Sequence, residues 1–143
     1  MSFYNSGSII IWGCWMDVIN LFHMGGRYFF KYYFQNEELF EEFSEYYDRF
    51  GYRFEVGKDE LEDLVEKLES HGYSVKIVEE DEISEYTVVI DKFEKHSDLL
   101  KKAVDSLEME VEKALVMRDK VAKEEALGRG REPDDKWINH LGI

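Results

Sequence analysis

The chain has 143 residues, a single-domain length at which roughly 68% of the surface exposed by the unfolded chain can be buried. Eighteen Lys and Arg stand against 32 Asp and Glu, a formal charge of −14 that opposes binding to nucleic acid and favours attraction to a basic protein partner. The only cysteine, Cys14, excludes a disulfide framework within the chain and fits a reducing, cytoplasmic setting. Abundant Glu and Lys with one Gln and one Pro is a composition also common among thermophile proteins.

Residues 1–26 contain no Lys or Arg and one acid, Asp17, around an apolar stretch at 9–22. A secretory signal needs a basic start. A membrane span needs about 20 apolar residues without the interruptions of Asp17 and Asn20. Neither is expected. The segment reads as an apolar extension that supplies a strand near 8–12 and a short helix near 17–23, with Met1, Met16 and Met24 as alternative starts.

Residues 27–34 are rich in aromatic side chains and predict a strand. Tyr28, Phe30, Tyr32 and Phe34 fall on one face; Arg27, Phe29, Lys31 and Tyr33 fall on the other. Asn36 predicts an N-cap for a helix carrying Leu39, Phe40, Phe43, Tyr47 and Phe50, closed by Gly51. A strand at 52–56 follows, then a helix opened by Asp59 and Glu62 with Leu61, Leu64, Val65 and Leu68 on one face, closed by Gly72. The pattern Tyr-x-apolar-x-apolar at Tyr52, Tyr73 and Tyr86 predicts three strands sharing one buried face. The last two, at 73–79 and 84–91, are expected to form an antiparallel hairpin around an acidic loop. From Ser97 to about Leu127 the spacing predicts a helix of about 30 residues, or roughly 45 Å, that overhangs the sheet. Residues 128–143 read as a polar tail in which Trp137, Ile138 and Leu141 could dock.

These elements predict an α+β fold, a two-layer sandwich with a mixed four- to five-stranded sheet and three helices in the order β-α-β-α-β-β-α. The section from 52 to about 110 is ferredoxin-like in part. The domain lies at 27–127.

No motif carries chemistry by itself. Glu79, Glu80, Asp81 and Glu82 could offer oxygens to a hard cation, but without the spacing that wraps a loop around calcium. Gly57 and Lys58 precede a helix N-terminus that could hold an anion, although Asp59, Glu60, Glu62 and Asp63 follow at once. Gly128-Arg129-Gly130-Arg131 looks like a phosphate loop, but it follows a helix C-terminus, where carbonyls are free. A Cys14–His23 dyad is conceivable. Phe29 and Tyr33 beside Lys31 would suit stacking on bases, yet the acids at 37, 38, 41 and 42 oppose it. The expectation is a non-enzymatic binding or protein-interaction module without a cofactor. It would form a homodimer through Leu100, Val104, Leu107, Val111, Leu115 and Val121 of the long helix, with Phe29 and Tyr33 as a further contact. Two alternatives are a small-molecule-sensing regulatory domain of the ACT-like kind and a metal-dependent hydrolase or transferase using carboxylates.

Overall fold

A computed structural model describes residues 10–11, 14–15 and 18–140. In chain order its strands are β1 (Ile10–Ile11), β2 (Cys14–Trp15), β3 (Val18–Met24), β4 (Arg27–Phe30), β5 (Tyr47–Asp48), β6 (Arg53–Gly57), β7 (Ser74–Val78), β8 (Thr87–Asp91), β9 (Ala103–Glu108) and β10 (Glu112–Met117). The helices are α1 (Glu37–Phe43), α2 (Lys58–Ser70), α3 (Ser97–Leu100), α4 (Lys120–Leu127) and α5 (Asp135–His140), with 3-10 turns at Ser44–Tyr46 and Glu80–Tyr86. The fold is α+β, and its main sheet is mixed and five-stranded in the order β5-β6-β4-β3-β7. Only the β3–β7 pair is parallel.

The alternation expected at 27–34 explains how this sheet is buried. Tyr28, Phe30 and Phe34 enter one cluster with Ile19, Leu21, Phe54 and Val56, covered by Phe43 of α1 and by Leu64 and Leu68 of α2. Asn36 caps α1, its Oδ1 accepting from the Leu39 amide at 2.8 Å. Helix α1 ends at Phe43, well before Gly51. Helix α2 starts at Lys58 with Gly57 as its N-cap and no side-chain cap, so Asp59 and Glu62 do not form the expected box.

The opposite face of the sheet carries a second layer absent from the sequence reading. Phe22, Phe29 and Val78 pack against Ile83, Tyr86, Val104 and Val116. The last two belong to a three-stranded antiparallel sheet, β8-β10-β9. Its outer face, with Val88, Ile90, Leu115 and Met117, is covered by Leu99 of α3 and by Ala122 and Ala126 of α4.

Four expectations are corrected here. The long helix at 97–127 does not form: the segment is α3, the β9–β10 hairpin and α4. Ala114 to Met117 are all buried because both faces of β10 are covered, and such a strand shows a continuous apolar run rather than an alternation. Its residues therefore mimicked a helical stripe. The hairpin of 73–79 with 84–91 also does not form, since β7 pairs with β3 and β8 with β10. Glu79 and Glu82 make a capping box that winds 80–86 into a 3-10 turn and carries the chain from one sheet to the other. Tyr86 ends that turn, so the third Tyr pattern does not share the face of the first two. Finally, 18–24 is a strand rather than a helix. The strand expected at 8–12 lies outside the described residues except for Ile10–Ile11.

Residues 128–140 pack on the second sheet. Arg131 pairs with Val89 through amide–carbonyl bonds of 2.8 and 2.9 Å. A Cβ on Gly130 would lie 2.5 Å from the Val89 carbonyl oxygen, so only glycine allows this approach. Trp137 is fully buried against Val89 and Ala114, and its Nε1 donates to Glu112 Oε1 at 2.9 Å. That bond, and the Arg131 guanidinium on the other carboxylate oxygen, hold the Glu112 carboxyl below the usual carboxylate range.

Candidate ligand-binding cleft

The aromatic run that builds the main core continues past β4 to the end of the sheet, where it opens into a cleft of about 820 Å³. The segment after β4 supplies Lys31, Tyr32, Tyr33, Phe34, Gln35 and Asn36; α1 supplies Glu37 and Phe40. Tyr47 and Phe54 come from β5 and β6, and Tyr52 from the turn before β6. Leu100 and Lys101 close the cleft from the end of α3, and Arg118 from the end of β10. Both sheets are needed to form it.

Rings make its floor and two of them its rim. Phe34 stacks on Phe43 at 4.9 Å, and Phe54 stacks on Phe30 at 4.6 Å. Phe40 and Tyr47 meet edge-on at 5.2 Å. Tyr33 is 81% exposed and Tyr52 67% exposed, far more than large rings in a packed layer. Tyr52 also has a φ of 53°, the one left-handed residue other than glycine among those described. That conformation costs an L-residue about 1–2 kcal/mol. Gly51 beside it does not take the left-handed angle. A Cβ there would meet Asp48 Oδ2 at 2.7 Å. The turn thus puts a strained backbone under the Tyr52 ring, a type of strain that clusters at working sites.

The other end is cationic. Lys31 lies on the face opposite Tyr32, and its Nζ donates to the Leu100 carbonyl at 3.1 Å. Burial, and then the nearby Arg118 and Arg53 guanidinium groups, hold its ammonium below the usual lysine range. Among the described residues Lys31 and Lys101 have no carboxylate partner, while Arg118 Nε lies 3.6 Å from Asp119 Oδ2. Asn20, 9% exposed, donates from Nδ2 to the Arg118 carbonyl at 3.0 Å and fixes that corner. A smaller cavity of about 210 Å³ adjoins, sharing Lys31, Tyr32, Tyr33 and Arg118 with the cleft.

Of the candidate site residues singled out in the sequence, the structure brings Lys31, Tyr33 and Leu100 to this cleft and scatters the others. Val104 and Leu115 are buried in separate clusters, Leu107 packs near Trp137, and Val111 and Val121 are exposed. The stripe that motivated helix pairing is not a surface. Phe29 is buried between the sheets with the Arg53 guanidinium 4.1 Å above its ring, where no base could stack. Gly57 faces Arg27, with Nη1 3.3 Å from where a Cβ would be, and Lys58 is exposed beside the acids of α2. The acidic run is already engaged. Glu79 meets His23 Nδ1 at 2.9 Å, Glu82 lies 3.5 Å from Lys76 Nζ, and Glu80 and Asp81 are exposed in the first turn of the 3-10 segment. Among the described residues no group of three His, Cys, Asp or Glu could hold a metal ion. The side chain of Cys14, and so the Cys14–His23 pair, lies outside the described residues.

Arg118 and Lys101 were missed because both sat inside the misread helix. The sequence places Tyr52 at a strand start near the sheet edge, and its left-handed angle has no signature there. The one legible signal was Lys31 beside Tyr33, since Phe29 is buried. Among the described residues no helix is long and apolar enough to cross a membrane. No known protein family, curated protein or solved structure matches the chain.

Proposed function

We propose that the protein is a non-enzymatic binding module and that its working site is the cleft between β4, α1 and the end of α3, occupied by a small molecule. The cleft volume of about 820 Å³ carries the reading, since it falls within the roughly 300–1,000 Å³ typical of ligand sites. Its lining is the usual mixture, an apolar floor with a few convergent polar groups. Strain at Tyr52 supports it, because a φ of 53° serves no packing need for a ring that is 67% exposed. On this reading the effector site lies within one chain rather than between paired units, as an ACT-like arrangement would have it.

Self-association is the second reading, favoured by Phe50 at 96% exposure beside Tyr52. It would use the exposed rings at the cleft mouth, because the long helix is absent. A metabolite panel followed by melting temperature decides between them. A rise with a small molecule, lost in Tyr52→Ala, supports the cleft. A protein that shifts with no compound and sediments as a dimer at micromolar concentration supports self-association.

A further inference from the structure

The charge at the cleft's inner end points to the kind of molecule it takes. In a chain of net charge −14, the lining gathers Lys31, Lys101 and Arg118 against one acid, Glu37. Their donors are largely uncommitted among the described residues. Lys31 uses one of its three ammonium protons, on Leu100, and the Lys101 ammonium makes no hydrogen bond among the described residues. Arg118 is engaged only through Nε, toward Asp119 at 3.6 Å, which leaves both of its Nη groups available. Burial first, and then the Arg118 and Arg53 guanidinium groups, depress the Lys31 ammonium. Arg53 has its own partner in Asp105 at 3.2 Å, whereas Lys31 and Lys101 have no carboxylate partner among the described residues. This corner therefore lacks a compensating negative charge. An arriving anion would supply it. Tyr33 and Tyr52, 81% and 67% exposed, are the accessible rings of the same lining.

We infer that the ligand is a planar aromatic molecule bearing a phosphate or carboxylate, its anion seated between Lys31 and Arg118 and its ring held by Tyr33 and Tyr52. This rests on the cleft being the working site. The anion would accept charge-assisted hydrogen bonds from the guanidinium fork and the ammonium, the strongest kind available to a protein. The rings would stack on the aromatic body. The smaller cavity beside Asn20, lined by Lys31 and Arg118 and by one acid, Asp119, adds space at the same corner.

The test is calorimetric titration with three probes of equal ring system: 1-naphthyl phosphate, 1-naphthoate and the neutral 1-naphthalenemethanol. At least one anionic probe should bind about tenfold more tightly than the neutral one. The stronger of the two anions tells phosphate from carboxylate as the natural group. Lys31→Met and Arg118→Gln should each remove most of that preference, lowering the affinity of the anionic probe far more than that of the neutral one. Lys31 bonds to α3, so the exposed Lys101→Gln is a second variant that spares the fold, and it should lower anion affinity about two- to fivefold. Equal affinity for neutral and anionic probes would overturn the ligand class but leave the cleft as a site. Binding of an anionic probe that is unchanged by Arg118→Gln and Lys101→Gln would overturn the placement of the anion. No binding of any probe would overturn both this inference and the cleft reading.

Discussion

Gly-Tyr occurs at the end of a turn twice, at Gly51-Tyr52 and at Gly72-Tyr73, and the two corners fold differently. At the second, Gly72 takes the left-handed angle, with φ of 90°, and Tyr73 turns inward, edge-on to Tyr32 at 5.2 Å and Phe34 at 5.9 Å. At the first, Tyr52 itself takes the left-handed angle, and its ring joins none of the aromatic pairs among the described residues. One corner spends its glycine where glycine costs least and closes the core. The other accepts strain and leaves a ring at the mouth of a cleft. The contrast separates packing from presentation within one sheet, since both corners lead into strands of the five-stranded sheet.

The largest test of that contrast is the floor the two corners share. Phe54 is buried, stacks on Phe30 and lines the cleft. Phe54→Ala should cost about 3–5 kcal/mol in urea unfolding. A loss under about 1 kcal/mol would mean that the aromatic layer is not packed as described. The tyrosines themselves should then diverge. Tyr73→Ala is expected to cost about 2 kcal/mol, whereas Tyr52→Ala should stay within about 0.5 kcal/mol. Equal losses would erase the distinction between the corners.

The backbone gives a smaller and more specific effect. Gly72→Ala should destabilise by about 1 kcal/mol or more, because its φ disfavours a Cβ although nothing lies near enough to clash. Tyr52→Gly should be neutral or stabilising by up to about 1 kcal/mol, since relieved strain offsets the added freedom of the unfolded chain. Ligand affinity should fall all the same. A Tyr52→Gly variant that loses stability would show that the ring is held by packing.

The smallest effect concerns the third wall of the cleft. Asp98 in α3 accepts from Arg129 at 2.7 and 3.0 Å, and that guanidinium lowers its pKa to about 2. The depressed value lies below the unfolded one of about 4. The contribution of this pair to stability is therefore complete above about pH 4 and is lost as pH falls through 2. A carboxyl-carbon NMR titration should place the Asp98 midpoint near 2, and Arg129→Gln should return it toward 4. A midpoint near 4 in the unaltered protein would mean that the α3 wall is not pinned there.

Strands β4, β6 and β7 and the helices over them were legible because their signals were local and agreed with one another, whereas β3 reads as a helix and the partner of β7 is not in the sequence. Aromatic alternation from Tyr28 to Phe34, the Asn36 cap, the apolar face of α2 and the Gly72 stop each point to the same arrangement. The second sheet was not, because its decisive fact is what lies on the far side of β10. Leu115, Val116 and Met117 read equally as a helical stripe or as a strand covered on both faces, and only the tertiary partner decides. The acidic run at 79–82 hid a capping box for the same reason, since a 3-10 turn and a hairpin loop share its composition. The cleft joins residues 31–54 to residues 100, 101 and 118, so the wall that closes it, with two of its three cations, depends on a segment whose pattern reads as one helix.

Chemical-shift mapping tests the central claim most directly. On titrating isotope-labelled protein with 1-naphthyl phosphate, saturable amide shifts should concentrate at Lys31 to Glu37, at Tyr52 and at Arg118. Saturable shifts confined to the far side of the second sheet, around α4 and α5, would contradict the account, as would the absence of any saturable shift.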